Sequence, residues 1–251
     1  VKHYQTITNT NNNTMSGAEL FNRFDDLENM DILKKHEKQE HKIDTLLQTA
    51  DLYKTKIDIR HGVEVGIQTH IYKELNDYVQ KYPFDFVIGS SHLCLGMDPY
   101  YPAFWEGRSL KDGLNVYFED IRQNVHNYNN YDVYGHLDYI VRYAPGKNKD
   151  FRFADYSDIL EDILKTIIQN GKGIEVNSAG FRQGLGAPNP CAEILKLYRS
   201  LGGEILTTGS DAHKPEDIAA DFDRVEALIK SCGFKYYTVF KDRKPEFFKL
   251  D

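Results

Sequence analysis

The sequence predicts an α/β fold, an open sheet or a barrel of parallel strands, from two observations. Short β-rich runs alternate with segments of helical period, and metal-ligating residue types gather just after the runs. A strand followed by a helix, repeated, implies parallel pairing through right-handed crossovers. The 251 residues are 41% hydrophobic and 27% charged, enough for one folded domain with a substantial core. No internal repeat and no linker rich in Pro, Gly or Ser divides the chain, so residues 1–251 read as a single domain.

Taken in order, residues 1–14 are rich in Asn and Thr and lack any period, so a flexible N-terminal segment is expected there. Asp31 to Tyr53 reads as a helix whose first half is a solvated charge run and whose second half carries Ile43, Leu46, Leu47 and Ala50 on one face. Within it His36 and His41 are five apart, roughly 140° around the axis, which does not match the i, i+4 spacing of a helical zinc motif. The β-rich runs are Ile57–Val65, Phe84–Ile88, Asp132–Tyr134, Gly173–Val176, Glu204–Thr208 and Lys235–Phe240. Between them, Asp155 to Asn170 repeats isoleucine and leucine at helical spacing and stops at Gly171. A further helix is expected from an Asn189 cap with Pro190 at its first position, and another from Pro215 with Ile218, Phe222, Val225 and Ile229 on one face.

Composition narrows the partners. There are 31 Lys plus Arg against 38 Asp plus Glu, a net charge of −7, which gives no general attraction to nucleic acid or to an anionic membrane. No apolar run is long enough to cross a bilayer. Cys94, Cys191 and Cys232 form no C-x-x-C pair and no disulfide framework, and a cytoplasmic protein is expected. Self-association as a homo-oligomer is compatible with the sequence.

In parallel α/β folds the loops after the strand ends carry the site. Here those loops hold Glu64, His92, His136 with Asp138, Glu175, and Asp211 with His213. Imidazole nitrogens and carboxylate oxygens without thiolates suit zinc, manganese or iron(II), and a hydrolytic rather than a structural centre. Arg182 lies in a Gly-rich loop just past a strand end, where a guanidinium can fork onto a phosphate or simply remain solvated. The aromatic stretch Met97 to Gly107 directly follows His92 and either walls a pocket for a small planar substrate or plugs a barrel end.

The strings Gly62-Val63-Glu64, Gly89-Ser90-Ser91-His92, Gly135-His136-Leu137-Asp138, Glu175-Val176-Asn177-Ser178-Ala179-Gly180-Phe181-Arg182 and Gly209-Ser210-Asp211-Ala212-His213 resemble successive motifs of the PHP (polymerase and histidinol phosphatase) superfamily. Asp98-Pro99-Tyr100-Tyr101, Phe104-Trp105-Glu106-Gly107 and Phe234 to Phe240 resemble its histidinol-phosphatase branch, over roughly Lys56 to Leu250. The resemblance implies a distorted (β/α)7 TIM-like barrel holding two or three divalent metal ions, zinc, manganese or iron, and hydrolysing L-histidinol phosphate in histidine biosynthesis. Carried over by position, it makes Glu64 a bridge between two metals completed by His92 and His136, gives Asp211 and His213 to the others, and puts the small phosphorylated substrate on Arg182.

The resemblance also marks a departure. An H-x-H strand and a strand ending T-D-H, which the family carries ahead of the position of Glu64, have no match here, since His3 is followed by Tyr4-Gln5. A barrel without its first two strands, with one complete ligand set, is therefore expected. Two explanations stand: a chain lacking its natural N-terminus, preferred because residue 1 is Val, or a short paralogue that binds without catalysis. A PHP phosphoesterase acting on another small phosphorylated metabolite is the alternative on substrate.

Overall fold

The computed structural model describes residues 5–9, 47–48, 51–53, 55–56 and 58–250. Six strands pair in parallel in their sequence order: β1 (Gln5–Asn9), β2 (Arg60–Gly66), β3 (Phe86–Ser90), β4 (Val133–Tyr134), β5 (Gly173–Asn177) and β6 (Leu206–Gly209). This is the curled, TIM-like α/β arrangement that the alternation of strand and helix predicts.

One element was unexpected at the start of the chain. One strand precedes β2 where the sequence predicts none: the backbone of Gln5–Asn9, within the segment expected to be flexible, runs beside β2 in the register Gln5↔Arg60 to Asn9↔Glu64, and the rest of residues 1–14 lies outside the described residues. Three consecutive β-branched residues, Thr6, Ile7 and Thr8, favour extended backbone, and the pairing covers an edge that β2 would otherwise expose. Of the helix expected over Asp31–Tyr53, residues 47–48 and 51–53 are helical, and the remainder, with His36 and His41, lies outside the described residues.

The crossovers are carried by α1 (Tyr72–Lys81), α3 (Leu110–Asn127), α4 (Ser157–Gln169) and α6 (Ala192–Ser200), with short α2 (Pro102–Trp105) and α5 (Ala179–Arg182) in loops and α7 (Phe222–Ser231) after β6. A capping box starts α3: the Ser109 hydroxyl accepts the Asp112 N–H at 3.2 Å, and the Asp112 carboxylate accepts back from Ser109. Its Leu114, Tyr117, Phe118, Ile121 and Val125 recur at helical spacing and are buried against the sheet, as are Leu160, Ile163, Leu164 and Ile167 of α4. Each such aliphatic side chain contributes about 2 kcal/mol on burial.

Two helix starts differ from expectation. The Asn189–Pro190 peptide is cis, and α6 begins at Ala192 with Cys191 as its N-cap. Pro215–Asp217 is an isolated 3-10 turn, a residue in the left-handed region, Asp221, precedes α7, and Ile218 is left 60% exposed instead of on the apolar face.

The last predicted strand is also not part of the parallel ladder. β7 (Tyr236–Lys241) folds back on β8 (Lys244–Lys249) as an antiparallel hairpin around Asp242 and Arg243, both with positive φ, the backbone that a two-residue hairpin turn requires. Phe240 stacks on Phe86 at 5.0 Å and joins Ile88, Val133 and Ile205 to fill the inner side of the sheet near the amino ends of the strands. The turn is clasped to that end: Arg243 Nε is 2.5 Å from the buried Asp132 carboxylate, which also accepts the Val87 N–H at 2.8 Å. Replacing Arg243 with alanine strands that carboxylate, and we expect a loss of about 2–3 kcal/mol in urea unfolding with no change in metal binding at the opposite end.

Candidate metal centre

Where the amino end of the inner face is apolar, its carboxyl end is polar. Glu64 stands at the end of β2, opposite Ile88 in register, while His92 and His136 follow β3 and β4. His92 Nε2 and His136 Nε2 approach the same Glu64 Oε1 at 3.2 and 3.1 Å, and the two rings are 5.1 Å apart. One carboxylate oxygen and two imidazole nitrogens within 4.8 Å of one another form a cluster able to hold a metal ion.

The electrostatics of the cluster are those of a strongly coupled acid–base set. Burial pushes the Glu64 carboxyl up, but the facing His92 and His136 outweigh it and hold it well below the usual carboxylate range. Burial lowers His92, and the Glu64 carboxylate more than reverses this, so its pKa ends raised. For His136 burial wins over the Glu64 hydrogen bond, and its pKa is lowered. His136 Nδ1 is buried without a hydrogen-bond partner among the described residues, and His136 adopts a positive φ of 29°, backbone strain of the kind that collects at functional sites.

Around this cluster the structure places the remaining predicted residues unequally. Asp211, with φ of 49°, turns its carboxylate to 4.0 Å from Arg142 Nη1. His213 lies beside Asp211, its side chain 56% exposed and its Nδ1 3.0 Å from the Asp211 carbonyl and 3.8 Å from the carboxylate. Arg182 donates to the Ser210 carbonyl at 2.7 Å and lies 3.4 Å from Asp217, so it sits on the loop that carries Asp211.

Two further groups face the cluster, Arg142, which no sequence feature singles out, and one of the strand-end carboxylates. Arg142, at the end of a 3-10 turn Tyr139–Arg142, lays its guanidinium 4.0 Å over the Tyr139 ring, and Tyr139 itself packs on both His92 and His136 at 5.0 and 4.8 Å. The Arg142 Nε is buried and has no hydrogen-bond partner among the described residues. The second is Glu175, which accepts the His136 N–H and has its pKa pushed up to about 8 by burial and by the Glu64 and Asp211 charges. Position 209 is glycine, and a Cβ there would run into the Glu175 carboxyl.

The aromatic stretch after His92 packs against neighbouring elements at both of its ends. Tyr100 packs on Tyr143 at 5.4 Å at the rim, whereas Trp105 donates Nε1–H to the Pro99 carbonyl and fills the space over Gly113 of α3.

A match to the PHP domain family spans residues 3–179. The chain belongs to the PHP domain family. A histidinol-phosphatase from Lactococcus lactis is 30% identical over 204 residues, covering 76% of this chain and 71% of the relative. A Clostridium acetobutylicum protein described as a probable histidinol-phosphatase is 30% identical over 174 residues, 69% of this chain and 68% of its own length. Among solved structures, a Lactococcus lactis histidinol phosphate phosphatase complexed with zinc, L-histidinol and phosphate superposes with a TM-score of 0.70 at 28% identity, covering 81% of this chain and 78% of that one. The PHP fold expected from the motifs is thus borne out. No helix among the described residues is long and apolar enough to cross a membrane.

Proposed function

We propose that this protein is a metal-dependent phosphomonoesterase that hydrolyses L-histidinol phosphate to L-histidinol and phosphate, in the cytoplasm. The observation that carries the reading is the Glu64–His92–His136 cluster at the carboxyl ends of three successive parallel strands, with an incompletely partnered arginine beside it. The relatives named for this activity support the substrate.

Glu64, His92 and His136 would hold one of the two or three divalent ions of the reading, and Asp211 with His213 would serve the others. Zinc, manganese or iron(II) bound there supplies Lewis acidity toward phosphoryl oxygen and acidifies water. The chain supplies the rest. Arg142, stacked on Tyr139 and Tyr143, holds a guanidinium charge at the edge of the cluster for a phosphate oxygen. Arg182 is the second guanidinium in reach of the phosphate, anchored by the Ser210 carbonyl at the rim. Glu175, buried beside Glu64, accepts the His136 N–H and so helps to hold that ligand in place.

Steady-state release of phosphate from L-histidinol phosphate, with zinc, manganese or iron(II) added, tests the reading. Arg142→Met should lower kcat/KM by about 10²-fold, the usual cost of removing one charged donor from a transition state. Absence of phosphate release with every metal overturns the proposal, and preferential turnover of another phosphorylated metabolite would move the substrate while leaving the centre in place.

A further inference from the structure

Behind the site lies a polar network inside an otherwise apolar layer. Ser91, Tyr134 and Asn124 are each 0% exposed, surrounded by Val65, Val87, Ile121 and Tyr131 of the main core. The Ser91 and Tyr134 hydroxyls are 2.7 Å apart. Asn124 Nδ2 donates to Ser91 Oγ at 3.2 Å and to Asp120 Oδ2 at 3.0 Å, while its Oδ1 accepts the Tyr72 hydroxyl at 2.9 Å. Tyr117 donates its hydroxyl to the Ser91 carbonyl at 3.0 Å.

We propose that the buried Tyr134–Ser91–Asn124 network is a positioning device that sets His92 and His136 relative to Glu64. The inference rests on the metal-centre reading above and extends it to residues that touch neither metal nor substrate. Ser91 immediately precedes His92, and Tyr134 stands two residues before His136. Their hydroxyl contact therefore ties together the two backbone segments from which the imidazoles project.

β4 needs such a tie more than any other strand. It is two residues long and meets β3 through only Ile88↔Val133 and Gly89↔Tyr134, and β5 through only Val133↔Gly173 and Tyr134↔Ile174. His136, with its positive φ, hangs from this short ladder. A slip or rotation at the end of β4 would carry its ring off Glu64, since side-chain direction follows strand register.

Stability alone does not account for the arrangement. Buried polar groups gain little net energy from their hydrogen bonds compared with apolar groups of the same shape, but they specify one geometry. The adjacent Tyr131 makes the contrast: its hydroxyl is buried in the same layer without a hydrogen-bond partner among the described residues, 5.5 Å ring to ring from Tyr134.

The test compares hydroxyl deletions in the full protein. Zinc and manganese affinity is measured by calorimetry for Tyr134→Phe, Ser91→Ala and Tyr131→Phe, alongside melting temperature, with imidazole NMR titration of His92 and His136 in the metal-free state. Tyr134→Phe and Ser91→Ala should weaken metal affinity about tenfold or more, the cost typical of losing a group that orients a ligand. Both should also shift the His92 and His136 ring signals, whereas Tyr131→Phe should change neither. Wild-type affinity and unshifted rings in folded Tyr134→Phe and Ser91→Ala overturn the proposal, as does an equal loss in Tyr131→Phe, which would make the effect generic to the core. If the wild-type protein binds no metal, the metal-centre reading fails by itself, and the ring signals still decide whether the network sets the two histidines.

Discussion

Glu64→Ala is expected to abolish metal retention at the cluster and to lower kcat/KM by well over 10²-fold, because losing a group that merely orients a ligand already costs roughly 10- to 100-fold. The carboxylate is the point on which both imidazoles converge, at 3.2 and 3.1 Å. Without it, His92 loses the charge that raises its pKa, and two buried rings face each other with nothing negative between them. Glu64→Gln sharpens the test, since it keeps size and one acceptor oxygen while removing the charge. We expect it to fold as the wild type does and to bind zinc far more weakly in calorimetry. Undiminished zinc binding by Glu64→Gln would show that the cluster is an ordinary buried hydrogen-bond set.

Much of this arrangement was legible in the residues, for a physical reason. A strand in a parallel sheet must end in a loop on one side of the molecule, so a ligand type one or two positions past a β-rich run is placed before any coordinates exist. Glu64, His92 and His136 converge as that rule requires. His213 obeys the same rule in sequence and lies at the rim, 3.8 Å from the Asp211 carboxylate, beside a turn whose positive φ at Asp211 the residue pattern does not reveal. Arg142 had no such signal. It lies six residues beyond His136, returned to the site by a 3-10 turn whose hydrogen bonds follow no hydrophobic period. The strand at Gln5–Asn9 was hidden for a different reason: its composition is that of a polar loop, and only the β-branched Thr6-Ile7-Thr8 core and the open edge of β2 favour pairing. β7 reads as one more parallel strand until its partner β8 is seen, since Lys244 to Lys249 alternates exposed and half-buried positions too weakly to announce a strand.

Glu175→Gln is expected to make the metal-free protein more stable at pH 8 and no more stable at pH 4.5. Glu175 is buried between the Glu64 and Asp211 charges, and its pKa stands at about 8 against an ordinary 4.5. A carboxyl whose folded pKa is raised keeps its proton in the native state after the unfolded chain has released it. Its stabilising contribution is therefore complete below pH 4.5, erodes as pH rises, and is lost once pH passes about 8. Across that window the penalty is on the order of 4 kcal/mol. Glutamine mimics the protonated acid in shape, retains an acceptor for the His136 N–H, and does not titrate. Thermal unfolding from pH 4.5 to 8.5 should consequently show a falling curve for the wild type and a flatter one for Glu175→Gln, and parallel curves would sink the argument. Saturation with zinc should narrow the difference, because a cation among Glu64, Glu175 and Asp211 offsets the repulsion that raises the Glu175 pKa. A group kept at such a cost to stability is expected where function requires it. The same substitution should therefore lower kcat on L-histidinol phosphate while raising the melting temperature of the metal-free protein, and a more stable variant with undiminished kcat would remove Glu175 from the working centre.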